Sequence, residues 1–387
     1  MRNHRRPSSQ IKNVTETNGE LPTPGRGSIP NGMVFGRCVR RVRTNRSIKM
    51  MAVFMLGVVA APVAVGQDSR AVKKRDQAAS EARDYPTIGR IEDPGGRLPS
   101  HAKIEVIADG FTWCEGPVWC EKVYGGPCVL FSDIPRNTIF RWTESRGIET
   151  FMQPSGYTGV DYYGLEPGSN GLHLDDRGRL VLCEHGDRRI SVLTPGGGKV
   201  TLADRFETRR LNSPNDLVVA RDGSIYFTDP FYGLPDRAND VRREIDFCGV
   251  YRWHPDRKVE LISDKIDRPN GIGLSNDQSR LIVAQSHPKK ANWTLFDLRG
   301  GGNSPARVVA DATDRVGQSP GLPDGLCVGS DDIVYASEPG GIRVMTFDGE
   351  VLARIITGKA TSNCTLDDDE TTLYITADDC LCRVRLR

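Results

Sequence analysis

The 387-residue sequence predicts an all-β fold, a six-bladed β-propeller with a divalent metal site on its axis. Three observations carry this. First, a short loop bearing Asn, Asp or Glu precedes a β-rich run six times: Glu115-Gly-Pro, Ser169-Asn170-Gly-Leu, Ser213-Pro214-Asn215-Asp216, Arg268-Pro269-Asn270-Gly, Leu322-Pro323-Asp324-Gly and Ser362-Asn363-Cys. Second, the polar residues are separated by 55, 45, 55, 54 and 39 positions, close to the roughly 40–50 residues of a propeller blade. Third, strand-like runs alternate with turn signals, and no helical pattern of about 10–15 residues intervenes.

The elements follow in order. Ala102–Ala108 reads as a first strand. Paired runs then recur, among them Val129–Ser132 with Thr138–Trp142, Leu180–Cys183 with Ile190–Leu193, Ile225–Thr228 with Gly249–Trp253, and Leu281–Ala284 with Trp293–Phe296. Ile333–Ala336, Ile342–Met345 and Leu373–Thr376 continue the series. Asp176-Arg-Gly178, Arg221-Asp-Gly223, Ser275-Asn-Asp277 and Phe347-Asp-Gly349 stand where hairpins need a turn. The last run, Cys382–Leu386, is expected to pair with the first in one blade. That would close the ring and leave no open sheet edge. The propeller is expected over 101–387, after a polar linker at 67–100.

The N-terminal part has a different composition. Of 52 Lys/Arg and 50 Asp/Glu in the chain, 11 and 2 fall in residues 1–50, so the remainder is mildly acidic. A nucleic-acid surface needs a basic patch on the folded part, and none is evident. Residues 1–49 read as a basic, aperiodic stretch, either disordered or upstream of the true start. Residues 50–66 form an apolar segment after Arg37, Arg40, Arg41, Arg43, Arg46 and Lys49, and end in small residues. This is the pattern of a signal peptide cleaved before Gln67, giving a periplasmic or secreted protein with no stable membrane insertion afterwards. A membrane anchor is the other reading; Pro62 and the short apolar span speak against it. Nine cysteines follow the cleavage point. Export permits disulfides, but an odd number leaves at least one thiol over. Cys380 and Cys382, two apart on one strand, are poor partners for each other.

In a propeller, equivalent positions of every blade point at one axis. Glu115, Asn215, Asn270 and Asp324 therefore form a candidate metal set. Two carboxylates and two amide oxygens are hard ligands, suited to Ca²⁺ first, with Mg²⁺, Mn²⁺ or Zn²⁺ as the other candidates. Pro214, Pro269 and Pro323 fix the backbone before three of these residues. Gly116, Gly271 and Gly325 follow three of them and are expected to permit an unusual turn.

The stretches Glu115-Gly-Pro-Val-Trp119, Ser169-Asn-Gly-Leu172, Asn212–Leu217 with Ile225–Asp229, Arg268-Pro-Asn-Gly271 and Leu322-Pro-Asp-Gly325 resemble the gluconolactonase, senescence-marker-protein and luciferin-regenerating-enzyme family. The likeness runs from about residue 105 to the end. It implies a six-bladed propeller around one divalent ion, with Glu115, Asn270 and Asp324 as ligands. Asn215 then matches an asparagine that contacts metal or substrate. Ser213 stands where the animal members carry a sugar-binding arginine. Cys183-Glu-His-Gly-Asp-Arg-Arg189 resembles the bacterial gluconolactonase branch. That likeness makes His185 and Arg188 candidates for a substrate wall shared with Asn170, Asn215 and Tyr232.

The implied reaction is hydrolysis of a sugar lactone of the glucono-1,5-lactone type to the aldonic acid, by an activated water attacking a polarised carbonyl. The resemblance implies Asp324 as base; Asp216 and His185 are the alternatives. The partner is then a small-molecule lactone. Hydrolysis of an aryl ester or organophosphate on the same propeller, or a non-catalytic binding propeller, are the rival functions. Gly317-Gln-Ser319-Pro-Gly321 matches a nucleophile elbow, but its flanks do not read as the strand and helix that motif needs.

Overall fold

The computed structural model describes residues 85–303 and 306–387. The expected basic stretch at 1–49, the apolar segment at 50–66 and linker residues 67–84 lie outside the described residues.

Six antiparallel sheets of four or five strands follow one another along the chain, with a two-stranded hairpin of Arg205–Phe206 and Arg209–Arg210 between the second and third. Their innermost strands are Cys114–Cys120, Ser169–Leu174, Leu217–Val219, Pro269–Leu274, Leu326–Val328 and Thr361–Leu366 for blades one to six. Each blade then runs outward through three more strands. In blade one these are Cys128–Asp133, Thr138–Thr143 and Gly147–Met152. The expected hairpin turns are present, with Gly223 at φ 80° and Gly349 at φ 90°, where a side chain would be strained.

The alternating geometry of a strand explains the continuous apolar runs. In Cys128–Asp133, Val129 and Phe131 enter the cluster between blades six and one, with Ile107, Trp142 and Leu381. Cys128 and Leu130 point the other way, into the cluster between blades one and two, with Leu172 and Leu182. Both faces of a middle strand are thus buried, so it reads as an unbroken apolar stretch. Four further clusters complete the circuit, so each of the six blade interfaces has its own apolar core.

The ring closes as the sequence suggests. Cys380–Arg385 pairs with Ile104–Asp109, placing Cys382 opposite Val106. Buried Arg383 clasps the seam. Its Nε donates to Glu105 in the same blade and its Nη1 to Glu144 of blade one. One expectation is corrected. The end of the stretch read as linker supplies two short strands. Thr87–Ile88 joins the outer edge of blade six and Arg90–Glu92 that of blade five. Both cover backbone groups that an open edge would present to another chain.

The cysteines pack as small apolar side chains. Among the described residues all nine are free, eight of them buried. Cys327 Sγ and Cys364 Sγ lie 3.5 Å apart across blades five and six.

Candidate active site

A circuit of hydrogen bonds runs around the axis at the tops of the inner strands. Ser132 Oγ donates to the Asn170 carbonyl (2.9 Å), Gly171 N to Asn215 O (2.8 Å), and Thr228 Oγ1 to Asn270 O (2.8 Å). Gly271 N donates to Asp324 O (3.0 Å), Gly325 N to Ser362 O (2.6 Å), and Ser362 Oγ to Cys114 O (2.6 Å). Every blade is tied to the next beside its polar residue. This corrects the expected role of the glycines. Only Gly116 is left-handed, at φ 50°. Gly271 and Gly325 are needed because the neighbouring blade is so close. A Cβ on Gly271 would stand 2.2 Å from Asp324 O, and one on Gly325 would overlap the Asn363 side chain. The repeated polar-Gly pair is therefore a device for close blade approach, and it fixes the polar side chains about one centre.

Those side chains line a cavity of about 410 Å³ at the N-terminal ends of the inner strands. Its wall includes Glu115, Asn170, Asn215, Asn270 and Asp324, with Tyr232 and Arg268. Asn270 Nδ2 donates to Ser286 Oγ (3.0 Å), and the same side chain stands against the Asp324 carboxylate. Gly116 N donates to Glu115 Oε2 (3.0 Å). Asn215 Oδ1 and Asp324 Oδ1 are buried and have no hydrogen-bond partner among the described residues. Orphaned buried oxygens of this kind are costly unless something binds them. Burial, and then the Asp324 and Asp216 carboxylates, push the Glu115 carboxyl well above its ordinary value. Burial and Asp216 do the same to Asp324. No Arg or Lys neutralises either group. The donor set thus fits a hard divalent cation. Among the described residues no three His, Cys, Asp or Glu form a metal cluster; the candidate set here combines two carboxylates with amide oxygens.

The remaining candidates divide. Tyr232 stands in the wall, and its hydroxyl donates to Ser286 O (3.0 Å). Asn170 also lines the cavity, and its Nδ2 lies 3.4 Å from His185 Nε2. His185 itself is set one layer back, with 0% exposure, its Nδ1 3.7 Å from Glu166 Oε2. Burial pushes its imidazole down to about 4, so at neutral pH it is an uncharged support for Asn170. It is not among the residues that line the cavity, contrary to its expected place in the wall. Arg188 is likewise displaced from the substrate wall. Its Nε donates to the carbonyls of Leu211 and Asn212 and its Nη1 to that of Arg242, tying blade two to blade three, while Nη2 is buried without a partner among the described residues. Asp216 faces a second axial cavity of about 250 Å³, lined by all six inner strands further along their length. Asn363 Nδ2 approaches its carboxylate (3.4 Å), and burial raises it to about 7. The Gly317–Gly321 motif follows a 3₁₀ turn at Thr313–Arg315 and lacks the strand and helix of a nucleophile elbow.

Glu166, Trp113, Arg268 and Ser286, with Gly321 and Leu322, complete the wall. Trp113 and Arg268 each stand two residues before a ligand candidate, which is the signal that could have found them. Glu166 comes from an aperiodic loop and has no such mark.

The comparisons agree with this geometry. Residues 113–379 match the family described as SMP-30/Gluconolactonase/LRE-like region. A gluconolactonase of Zymomonas mobilis is 34% identical over 341 residues, which span 85% of this chain and 95% of that protein. A solved gluconolactonase from Xanthomonas campestris superposes with a TM-score of 0.66 at 32% identity, covering 78% of this chain and 94% of that one. Regucalcin of Xenopus laevis is 26% identical over 72% of this chain and 87% of its own length. With the motifs, the six blades and the axial oxygens in place, this chain belongs to the SMP-30/gluconolactonase/LRE-like family.

Proposed function

We propose that the protein is a metal-dependent lactone hydrolase that opens a sugar lactone of the glucono-1,5-lactone type to its acid. The observation that carries this is the pair of orphaned oxygens, Asn215 Oδ1 and Asp324 Oδ1, in one cavity with Glu115 and Asn270. These four residues would hold a divalent cation, Ca²⁺ by the hardness and charge of the donors. When bound there, it supplies Lewis-acid polarisation of the lactone carbonyl.

The chain's own groups do the rest. Asn170 and Tyr232 present polar atoms to the ring hydroxyls. Neutral His185 holds Asn170 in place. The Asp324 carboxylate takes a proton from water as the water oxygen bonds to the carbonyl carbon. The ring C–O bond then breaks, and the ring oxygen leaves with that proton. The Met50–Gln67 run, read as an export signal, supports a periplasmic or secreted location for this activity.

The test is acid release from glucono-1,5-lactone. We expect a rate above spontaneous hydrolysis that a chelator abolishes and Ca²⁺ restores. Equal rates with and without chelator would sink the metal dependence, and no enzymatic rate would sink the lactonase reading. Stability should follow the same cation. The folded-state values of Glu115, Asp216 and Asp324 are raised, so their protonated forms favour the fold. That contribution is complete below the ordinary carboxylate range and is lost as pH rises, for Asp216 through about 7. Metal-free protein is therefore expected to melt at a lower temperature at pH about 8 than at pH about 5, with the difference shrinking on adding the cation.

A further inference from the structure

We propose that the cavity takes a lactone carrying an anionic group, phosphate or carboxylate, at the end away from its carbonyl, and that Arg268 receives that group. The inference rests on the lactonase reading of the same site and names its substrate class.

The charges of the wall are almost all committed. Glu115 and Asp324 belong to the axial oxygen set. Glu166 is paired with Arg237 (2.7 Å). Arg268 is the exception. Its guanidinium makes no hydrogen bond or ion pair with the described residues, although the side chain lines the cavity. Its neighbour Asp267 is already held by Lys290 Nζ at 2.7 Å. What positions Arg268 is the face of Phe231, 5.7 Å from the guanidinium carbon. Arg243 flanks the same ring at 5.5 Å and bonds only neutral oxygens, those of Asn212 and Ala238. His287 lies near Arg268 on the following loop, among Asp267, Lys289 and Lys290, and burial holds its imidazole below the ordinary value, so it is largely uncharged at neutral pH. Arg268 therefore supplies the unpaired positive charge of this wall.

Depth gives the orientation. Asn270, at the floor, is 4% exposed, whereas Arg268 is half-buried at the lip. A lactone whose carbonyl meets the axial oxygens must direct its far end outward, toward Arg268. A half-desolvated guanidinium without a partner is costly, and a planar fork stacked on an aromatic ring is preorganised for two oxygens of an anion. A neutral polyol tail would leave that charge unmatched.

The experiment compares kcat/KM for glucono-1,5-lactone, its 6-phosphate and the lactone of glucaric acid, in wild type and in Arg268→Met. We expect at least about tenfold preference for one of the anionic lactones at low salt, the value of one charge-assisted hydrogen bond. The preference should fall toward parity in Arg268→Met and at high salt, and Arg268→Lys should retain part of it. The phosphate and carboxylate arms decide which anion is taken. Equal or better turnover of the neutral lactone, or a preference that survives Arg268→Met, would overturn the inference. Calorimetry with gluconate, 6-phosphogluconate and glucarate on the metal-loaded protein gives a separate readout. If no lactone is turned over, the lactonase reading fails, and the binding data still decide this point. Tighter binding of 6-phosphogluconate or glucarate than of gluconate, dependent on Arg268, supports it; equal affinity, or none, refutes it.

Discussion

Asp324→Ala is expected to lower lactone turnover by at least about 10²–10³-fold, the usual cost of losing a centrally placed electrostatic group, and to weaken cation binding in parallel. The substitution removes a proposed charged ligand and the carboxylate proposed to accept the proton. It also relieves repulsion, because Asp324 and Asp216 both raise the neighbouring Glu115 carboxyl. Metal-free Asp324→Ala should therefore be no less stable than metal-free wild type, while its stabilisation by added cation should be small. Turnover assays and metal-dependent melting curves check the two halves. Asp324→Asn separates the roles further, since it keeps an oxygen ligand but loses the base. If Asp324→Ala turned over lactone at the wild-type rate, neither role would stand.

Phe131→Ala is expected to cost the fold about 3–5 kcal/mol. Phe131 is fully buried between blades six and one, with its ring 5.0 Å from that of Phe111 and 5.9 Å from that of Phe140. That interface also holds the seam where the two ends of the propeller meet. Val308→Ala provides the contrast. Val308 lies on an outer strand and is 55% exposed, so its loss should change stability by no more than about 0.5 kcal/mol. Chemical denaturation of the two variants measures both. Similar small losses would mean that packing between the blades does not hold the ring together.

Rotational repetition explains why so much of this architecture was legible. Each blade meets the same environment, so the same loop, strand and turn grammar recurs, and the inner-strand polar residues could be placed on one axis before any coordinates. The closing pair was readable for a related reason: a ring of sheets leaves one unmatched strand at each end of the chain. The glycines after the polar residues were legible as a pattern but not as a cause. Sequence signals a turn and a close approach with the same residue, and only the 2.2 Å that a Gly271 Cβ would leave to Asp324 O distinguishes them. His185 and Arg188 show a second limit. A loop histidine and arginine carry the same chemistry whether they face the cavity or stand behind it, and depth is set by packing from other blades, such as Gly233 against the His185 ring. Glu166 comes from an irregular loop between blades and has no periodic position to reveal it. Arg90–Glu92 is too short and too polar to read as a strand, and it becomes one only because Val351–Ile356 offers an open edge.

The most direct measurement is an anomalous difference map from crystals grown with Ca²⁺ or a heavier divalent ion. A single peak on the axis, about 2.3–2.6 Å from oxygens of Glu115, Asn215, Asn270 and Asp324, is the expected result. An axis without anomalous density under saturating cation, or a peak held by other residues, would contradict a metal centre built by four of the six inner loops.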